Sequence, residues 1–231
     1  MKSGERYPEP DNKLLEKLIA EGEHQQLDFK FEITDAKKLA RTIVAFTNTD
    51  GGVLLIGVKD NGAIAGVRSD EEFYMLEAAA QMYSRPEVTF SSKLFEVEGK
   101  IVLYAKIKRS EQIPHTAPDK NGKYIAFVRK NDQVLPANNV LLKLWQQKKL
   151  KSGVTVRYSQ PEEWLMRYLR ENKTITVSAF SKHARIPRFL AEKIMVNFIM
   201  LDLIRMDLTE KGAYYSLADA VTVERYYEKR L

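Results

Sequence analysis

The chain has 231 residues, of which 44% are hydrophobic and 29% charged, and its formal net charge is +6 at pH 7. This length allows one large domain or two small ones, and the composition is that of a globular protein with a buried core. With no cysteine and only three widely separated histidines, zinc sites and disulfides are not expected. Because the sequence has neither an apolar run of about 18 residues nor a secretory signal, we expect a cytoplasmic protein without a membrane span.

Hydrophobic periodicity predicts alternating helices and strands over the first 150 residues, followed by a second pattern of three helices and a hairpin. Thr34 is the predicted cap of the second helix, and Ser69 with Glu72 forms a capping-box pattern for the third. The predicted helices are 11–21, 35–47, 69–83, 136–150, one that begins at Pro161, 176–183, 187–201 and 219–231. The predicted strands are 26–32, 53–58, 63–67, 87–97, 100–108, 124–129, 203–208 and 213–217.

The break at Lys151-Ser152-Gly153 predicts a linker between two domains. We therefore predict an α/β (α+β) domain with a mixed sheet over 1–150, a linker over 151–160, and a smaller domain over 161–231. Three helices and a hairpin in about 60 residues are typical of a winged helix-turn-helix domain.

Two stretches of the chain contain basic residues and no acidic ones, 133–161 and 172–191. Such stretches suit an anionic partner such as nucleic acid, although solvated helix faces have the same composition. The first stretch includes Lys143, Lys148, Lys149, Lys151 and Arg157. The second includes Lys173, Lys182, Arg185 and Arg188.

Several motifs in the first domain resemble the Schlafen AlbA-like family, which is also described as a divergent AAA or ATP-binding domain. They are Glu23-x4-Asp28-Phe29-Lys30, the run 45–52 (AFTNTDGG), the run 56–62 (IGVKDNG) with Gly66, and the run 124–135 (YIAFVRKNDQVL). The resemblance covers about 11–150 and implies an AlbA-like fold that binds nucleic acid. Lys30, Arg129 and Lys130 are the candidate nucleic-acid contacts in this part of the chain.

The same resemblance implies a candidate catalytic site, because active Schlafen proteins are ribonucleases with three carboxylates at the corresponding places. Here these are Glu23, Asp28 and Asp60, with Asp28 standing where the family has a glutamate. Such oxygen ligands can hold Mg²⁺ or Mn²⁺ for phosphodiester cleavage. Alternation in 26–32 places Asp28 and Lys30 on one face of the strand, so Asp28 can instead pair with Lys30 or another basic group. ATP is not expected as a cofactor, since no GxxxxGK[ST] sequence is present.

In the second domain the helix 187–201 is the predicted recognition helix, which a helix-turn-helix protein places in the major groove of DNA. Its exposed basic residues would be Arg188 and Lys193, preceded by Arg185, with Arg205 and Lys211 on the wing. Phe189 is expected in the core, and Glu192 on the outer face, where it would oppose tight DNA contact.

Three functions remain open at this point. The domain arrangement favours a DNA-binding transcriptional regulator, and the three acids favour a metal-dependent RNA endonuclease. The third alternative is an interaction module without catalytic activity. DNA is favoured over RNA as the partner. A homodimer is expected, because the chain has one AlbA-like lobe where related chains have two, and helix-turn-helix proteins bind paired half-sites.

Overall fold

The computed structural model describes residues 12–150 and 159–218, which form two compact units divided between Pro136 and Ala137. Most of the expected linker, 151–158, and the expected last helix, 219–231, lie outside the described residues. None of the helices in the described ranges has both the length and the apolar character that crossing a bilayer requires.

The first unit contains a mixed four-stranded sheet and a smaller three-stranded sheet, with three helices. The large sheet has the order β1-β2-β4-β3, in which only β1 and β2 are parallel, and the small antiparallel sheet has the order β5-β6-β7. This arrangement confirms the predicted mixed α/β fold. The elements are α1 (Asn12–Glu21), β1 (Leu27–Lys30), α2 (Ala36–Asn48), β2 (Gly52–Ile56), α3 (Glu71–Gln81), β3 (Phe90–Val97), β4 (Lys100–Ile107), β5 (Thr116–Pro118), β6 (Tyr124–Lys130) and β7 (Gln133–Pro136).

Helix α2 is the centre of this unit, because it contacts both sheets and α3. Every residue from Thr42 to Asn48 is buried, as expected for a helix surrounded on several sides rather than lying on a surface. Its N-cap is Asp35, whose Oδ1 accepts hydrogen bonds from the backbone N–H groups of Lys37 and Lys38. The predicted cap, Thr34, lies one residue too early.

Two apolar clusters cover the two faces of the large sheet. On one face, α2 and α3 pack against alternate strand residues such as Leu54 and Leu103. On the other face, Leu15 of α1 packs against Phe29 and Tyr104. The alternation of side chains along the strands supplies both clusters, so β1, β2 and β4 contribute buried residues to both sides, whereas most of β3 is exposed.

Three features of the first unit differ from the sequence-based assignment. The expected strand 63–67 is reduced to a single bridge between Val58 and Ile64. The short strands β5 and β7 were not predicted, and Pro136 ends β7 instead of beginning a helix. Only the Glu72 half of the expected capping box is present: the carboxylate of Glu72 accepts hydrogen bonds from the backbone N–H groups of Ser69 and Arg68, whereas the N-cap is Asp70 and Ser69 Oγ accepts from the N–H of Glu71.

The second unit begins with a helix, continues with three more, and ends in an antiparallel hairpin. Its core contains residues from all of these elements, including Val140, Leu165, Phe198 and Tyr215. The first of these helices packs against the fourth and therefore belongs to this unit, whereas the sequence-based boundary lay after it. The elements are α4 (Asn139–Lys149), α5 (Gln160–Glu171), α6 (Val177–His183), α7 (Arg188–Met200), β8 (Ile204–Thr209) and β9 (Gly212–Leu217).

Candidate nucleic-acid interface

Asp28 of β1 is buried, with 4% of its surface exposed. Its register partner Leu54 belongs to the cluster on the α2 side of the sheet, so Asp28 points toward α2 rather than away from the core as expected. One carboxylate oxygen accepts a hydrogen bond of 2.9 Å from Nη1 of Arg129. The other lies 2.5 Å from Nζ of Lys30, close enough for an ion pair but without hydrogen-bond angles. The acid that looked unusual in an apolar strand is therefore held by two cations.

Arg129 on β6 is the second half of this network, and none of its side chain is exposed. Its guanidinium also donates to the backbone oxygens of His24 and Leu27, at 2.9 to 3.2 Å, and lies 4.6 Å from the ring centre of Phe46. The structure differs here from the sequence-based assignment, since a guanidinium with these partners is not available to a phosphate. Arg129 instead joins the small sheet to β1.

The other two predicted acids have separate surroundings. Glu23 accepts a hydrogen bond of 2.8 Å from the backbone N–H of Phe29. Asp60 is exposed in the turn closed by the bond from Gly62 N–H to Lys59 O. Among residues 12–150 and 159–218, no group of three or more His, Cys, Asp or Glu side chains is placed to hold a metal ion. The predicted set of Glu23, Asp28 and Asp60 thus does not fit a divalent cation in this arrangement, and we derive no cleavage step from it.

The run 45–52 (AFTNTDGG) has a structural explanation of its own. The side-chain amide of Asn48 donates to the backbone oxygens of His115 and Phe127, and its oxygen accepts from the N–H of His115. Gly51 has a φ of +70°, and a Cβ atom there would lie 2.8 Å from the backbone oxygen of Ile107. Both residues therefore serve the junction between α2 and the two sheets.

A groove of about 390 Å³ lies on the first unit, near the end of α1 and the start of β2. Its volume is at the lower end of the range of small-molecule sites. Sequence reasoning missed this feature, although the basic run 106–109 (KIKR) at the end of a predicted strand was a usable signal. Its charged lining residues are Glu21, Asp50, Lys106, Lys108 and Arg109.

In the second unit, basic side chains gather around the N-terminal end of α7. Arg185 lies in the turn before the helix with a φ of +52°, and it is exposed together with Lys182, Arg188 and Lys193. Arg205 and Lys211 are exposed on the hairpin that follows. Of the first-domain candidates, Lys30 is half-buried against Asp28, and Lys130 ends β6.

Glu192 is the acid nearest these cations in sequence, and it does not lie on the outer face as expected. It is 4% exposed, and its carboxylate accepts hydrogen bonds from Lys143 (2.7 Å), Arg188 (3.1 Å) and Asn139 (3.3 Å). Burial alone would raise the pKa of Glu192, but these hydrogen bonds and the charge of Lys143 outweigh it and lower the pKa. The negative charge is thus neutralised inside the unit and is not presented to a ligand.

Phe189 also differs from expectation, because it is 66% exposed rather than packed in the core. It follows Arg188 directly, at the second position of α7. Leu190, Ile194 and Phe198 do join the core as predicted.

Comparison with known proteins gives a family profile and similarities to several solved structures. No curated protein sequence matches the chain. The DIP2311 protein from Corynebacterium diphtheriae is 19% identical, with a TM-score of 0.43, over 69% of this chain and 39% of that protein, so this chain spans well under half of its length. The N-terminal domain of a RecG-related protein from Nitrosomonas europaea is 19% identical, with a TM-score of 0.37, over 64% of this chain and 94% of that domain.

The family profile described as Schlafen, AlbA_2 matches residues 23–138. The match includes the first unit from Glu23 onward, with β1, α2 and the strand that carries Arg129. Because it extends over half of the sequence, the chain belongs to the Schlafen, AlbA_2 family.

Proposed function

We propose that this protein binds double-stranded DNA through its second unit and regulates transcription from within the cytoplasm. The observation that carries the proposal is the basic N-terminal part of α7 and the turn before it, where Arg185, Arg188 and Lys193 are all exposed while Glu192 is buried and neutralised. A surface of this charge attracts the phosphate backbone, which supplies most of the affinity in non-specific DNA binding.

The order of elements supports a winged helix-turn-helix interpretation of this unit. Helix α6 is followed by a short turn and α7, and then by the β8–β9 hairpin. In that class of domain the second helix of the motif enters the major groove and a hairpin forms the wing. We assign α7 as the recognition helix and place Arg205 and Lys211 on the wing.

The first unit has a different role in this proposal. Glu23 and Asp28 are held by internal partners and Asp60 is exposed in a turn, so the proposal includes no cleavage of RNA. Its groove near Lys106 and Arg109 has the size of a small-molecule site. We assign this unit to sensing or assembly.

The test is the affinity of the full chain for a mixed-sequence duplex of about 30 base pairs, long enough for two half-sites one turn apart. We expect the pair Arg185→Glu and Lys193→Glu to weaken binding at least about tenfold, and to lower the slope of log affinity against log salt by about two or more. Arg188 is left unchanged because it also holds Glu192.

The matched control is the pair Lys120→Glu and Lys123→Glu, which makes the same change in net charge on exposed residues of the first unit. Equal losses in the two pairs would mean that net charge alone governs binding. That result would remove α7 from the interface, as would an unchanged affinity in the α7 pair.

A further inference from the structure

Phe189 is an exception among the apolar side chains of α7. The others are buried or partly buried in the core of the second unit, whereas two thirds of Phe189 is in contact with solvent. A phenyl ring in water contributes no burial free energy to folding. Its exposure is therefore not explained by the packing of this unit.

The position of Phe189 on the helix places it within the basic surface. Phe189, Lys193 and Asn197 are separated by four residues each, and so they lie along one face of α7. Lys193 is exposed and Asn197 half-buried. Arg185 and Arg188 precede the ring in sequence, and the segment 172–191 contains no acidic residue.

The positive charge around Phe189 indicates which class of partner binds there. A protein surface that covered it would have to match several cations with acids, while DNA supplies the negative charge along its whole length. In the major groove, the apolar group on the edges of the bases is the C5-methyl group of thymine. The N-terminal residues of a recognition helix are the ones that reach those edges.

We propose that Phe189 contacts a thymine C5-methyl group and is a specificity-determining residue of the DNA site. This inference rests on the function proposed above. Arg188 and Lys193 supply affinity through charge, whereas the ring distinguishes a base pair that carries the methyl group from one that does not. The bound sequence therefore contains a thymine opposite the N-terminal end of α7.

The experiment begins with selection of duplexes from a random pool by the full chain. The selected duplex is then made with one thymine at a time replaced by deoxyuridine, which removes the methyl group and leaves the hydrogen-bonding edge unchanged. We expect the wild type to lose affinity about fourfold at one or two positions, the factor that corresponds to about 0.8 kcal/mol per buried methylene-sized group. The Phe189→Ala variant should bind the original duplex about fourfold more weakly, and uracil at those positions should have no further effect.

Phe189→Leu is the companion variant, because it keeps an apolar group and should retain part of the sensitivity to uracil. Thermal unfolding of both variants should match the wild type, since the ring is exposed. Equal effects of uracil on the wild type and on Phe189→Ala, or no effect on either, would overturn the inference while leaving DNA binding in place. A wild type that selects no duplex overturns both this inference and the proposed function.

Discussion

At the scale of single residues, the second unit is organised around a buried carboxylate. Glu192 accepts hydrogen bonds from two cations and one amide, and its partners come from both α4 and α7. Each partner keeps part of its side chain in water, which screens the ion pairs. The carboxylate itself is almost completely shielded from solvent and depends on these bonds for its charge.

This arrangement predicts a pH-dependent stability that Glu192→Gln removes. Because the pKa of Glu192 is lowered in the folded state, its ionised form stabilises the fold above the ordinary carboxyl range, and this contribution is lost as the pH falls through the lowered value. At pH 7 we expect the variant to lose about 1 to 2 kcal/mol, since the lost bonds are charge-assisted but partly screened. Thermal unfolding followed between pH 7 and about pH 3 measures both effects.

The exposed acid Glu163 on α5 provides the comparison for this measurement. Glu163→Gln should leave the melting temperature and its pH dependence close to those of the wild type. If the curves of the wild type and of Glu192→Gln ran parallel over the whole pH range, the carboxylate would not be the titrating group.

Asp28 and Glu192 also show which side-chain contacts can be predicted from the sequence and which cannot. Asp28 stood out as an acid in an apolar strand, and its pairing with Lys30 follows from strand alternation. Its hydrogen-bonded partner, Arg129, is 101 residues away, and only the packing of two sheets on α2 brings it there. Glu192 was placed outside because α7 is apolar around most of its circumference, so periodicity alone does not identify the face that packs on α4.

At the scale of elements, α4 is the helix that completes the second unit. Val140 and Leu144 are buried in its core, and Asn138 caps the helix while donating a hydrogen bond to the hydroxyl of Tyr215. Lys143 of the same helix pairs with Glu192. A domain boundary placed after α4 would separate these residues of α4 from the residues of the second unit that they contact.

We therefore expect the fragment 137–231 to fold cooperatively and the fragment 151–231 to have little or no thermal transition. In the full chain, Leu144→Ala should cost about 2 to 5 kcal/mol, as for other buried leucines. Gln146→Ala, at an exposed position of the same helix, should be nearly neutral. Thermal unfolding of the two fragments and the two variants can be followed by circular dichroism. Equal stability of the two fragments would mean that α4 is not part of the second unit.

The helices and strands also differ in how well they can be predicted from the sequence. The long helices and the strands β3, β4 and β6 lie close to their predicted bounds. The strands β5 and β7 have three and four residues, each ends in proline, and both exist because β6 lies between them. Segments this short gain their hydrogen bonds from distant partners, and no local pattern marks them.

At the scale of the whole molecule, DNA binding by paired half-sites requires two recognition helices. We expect a two-fold homodimer, which would place two copies of α7 about one helical turn of DNA apart. Light scattering at micromolar concentration should give about twice the monomer mass of 26.6 kDa. A footprint on the selected duplex should then show two related half-sites, whereas a mass of one chain at all concentrations would contradict the dimer.

The contact between Asp28 and Arg129 also has a consequence for synthesis. While the chain is on the ribosome, residues 27–107 can emerge and form the large sheet, yet Asp28 still lacks its guanidinium and α2 still lacks the small sheet that covers it. Asn48 likewise lacks one of its hydrogen-bond acceptors, the backbone oxygen of Phe127, at that stage. We therefore expect the nascent first unit to expose an apolar helix and a carboxylate without its Arg129 partner until β6 has left the ribosome, and this interval is when chaperone contacts are expected.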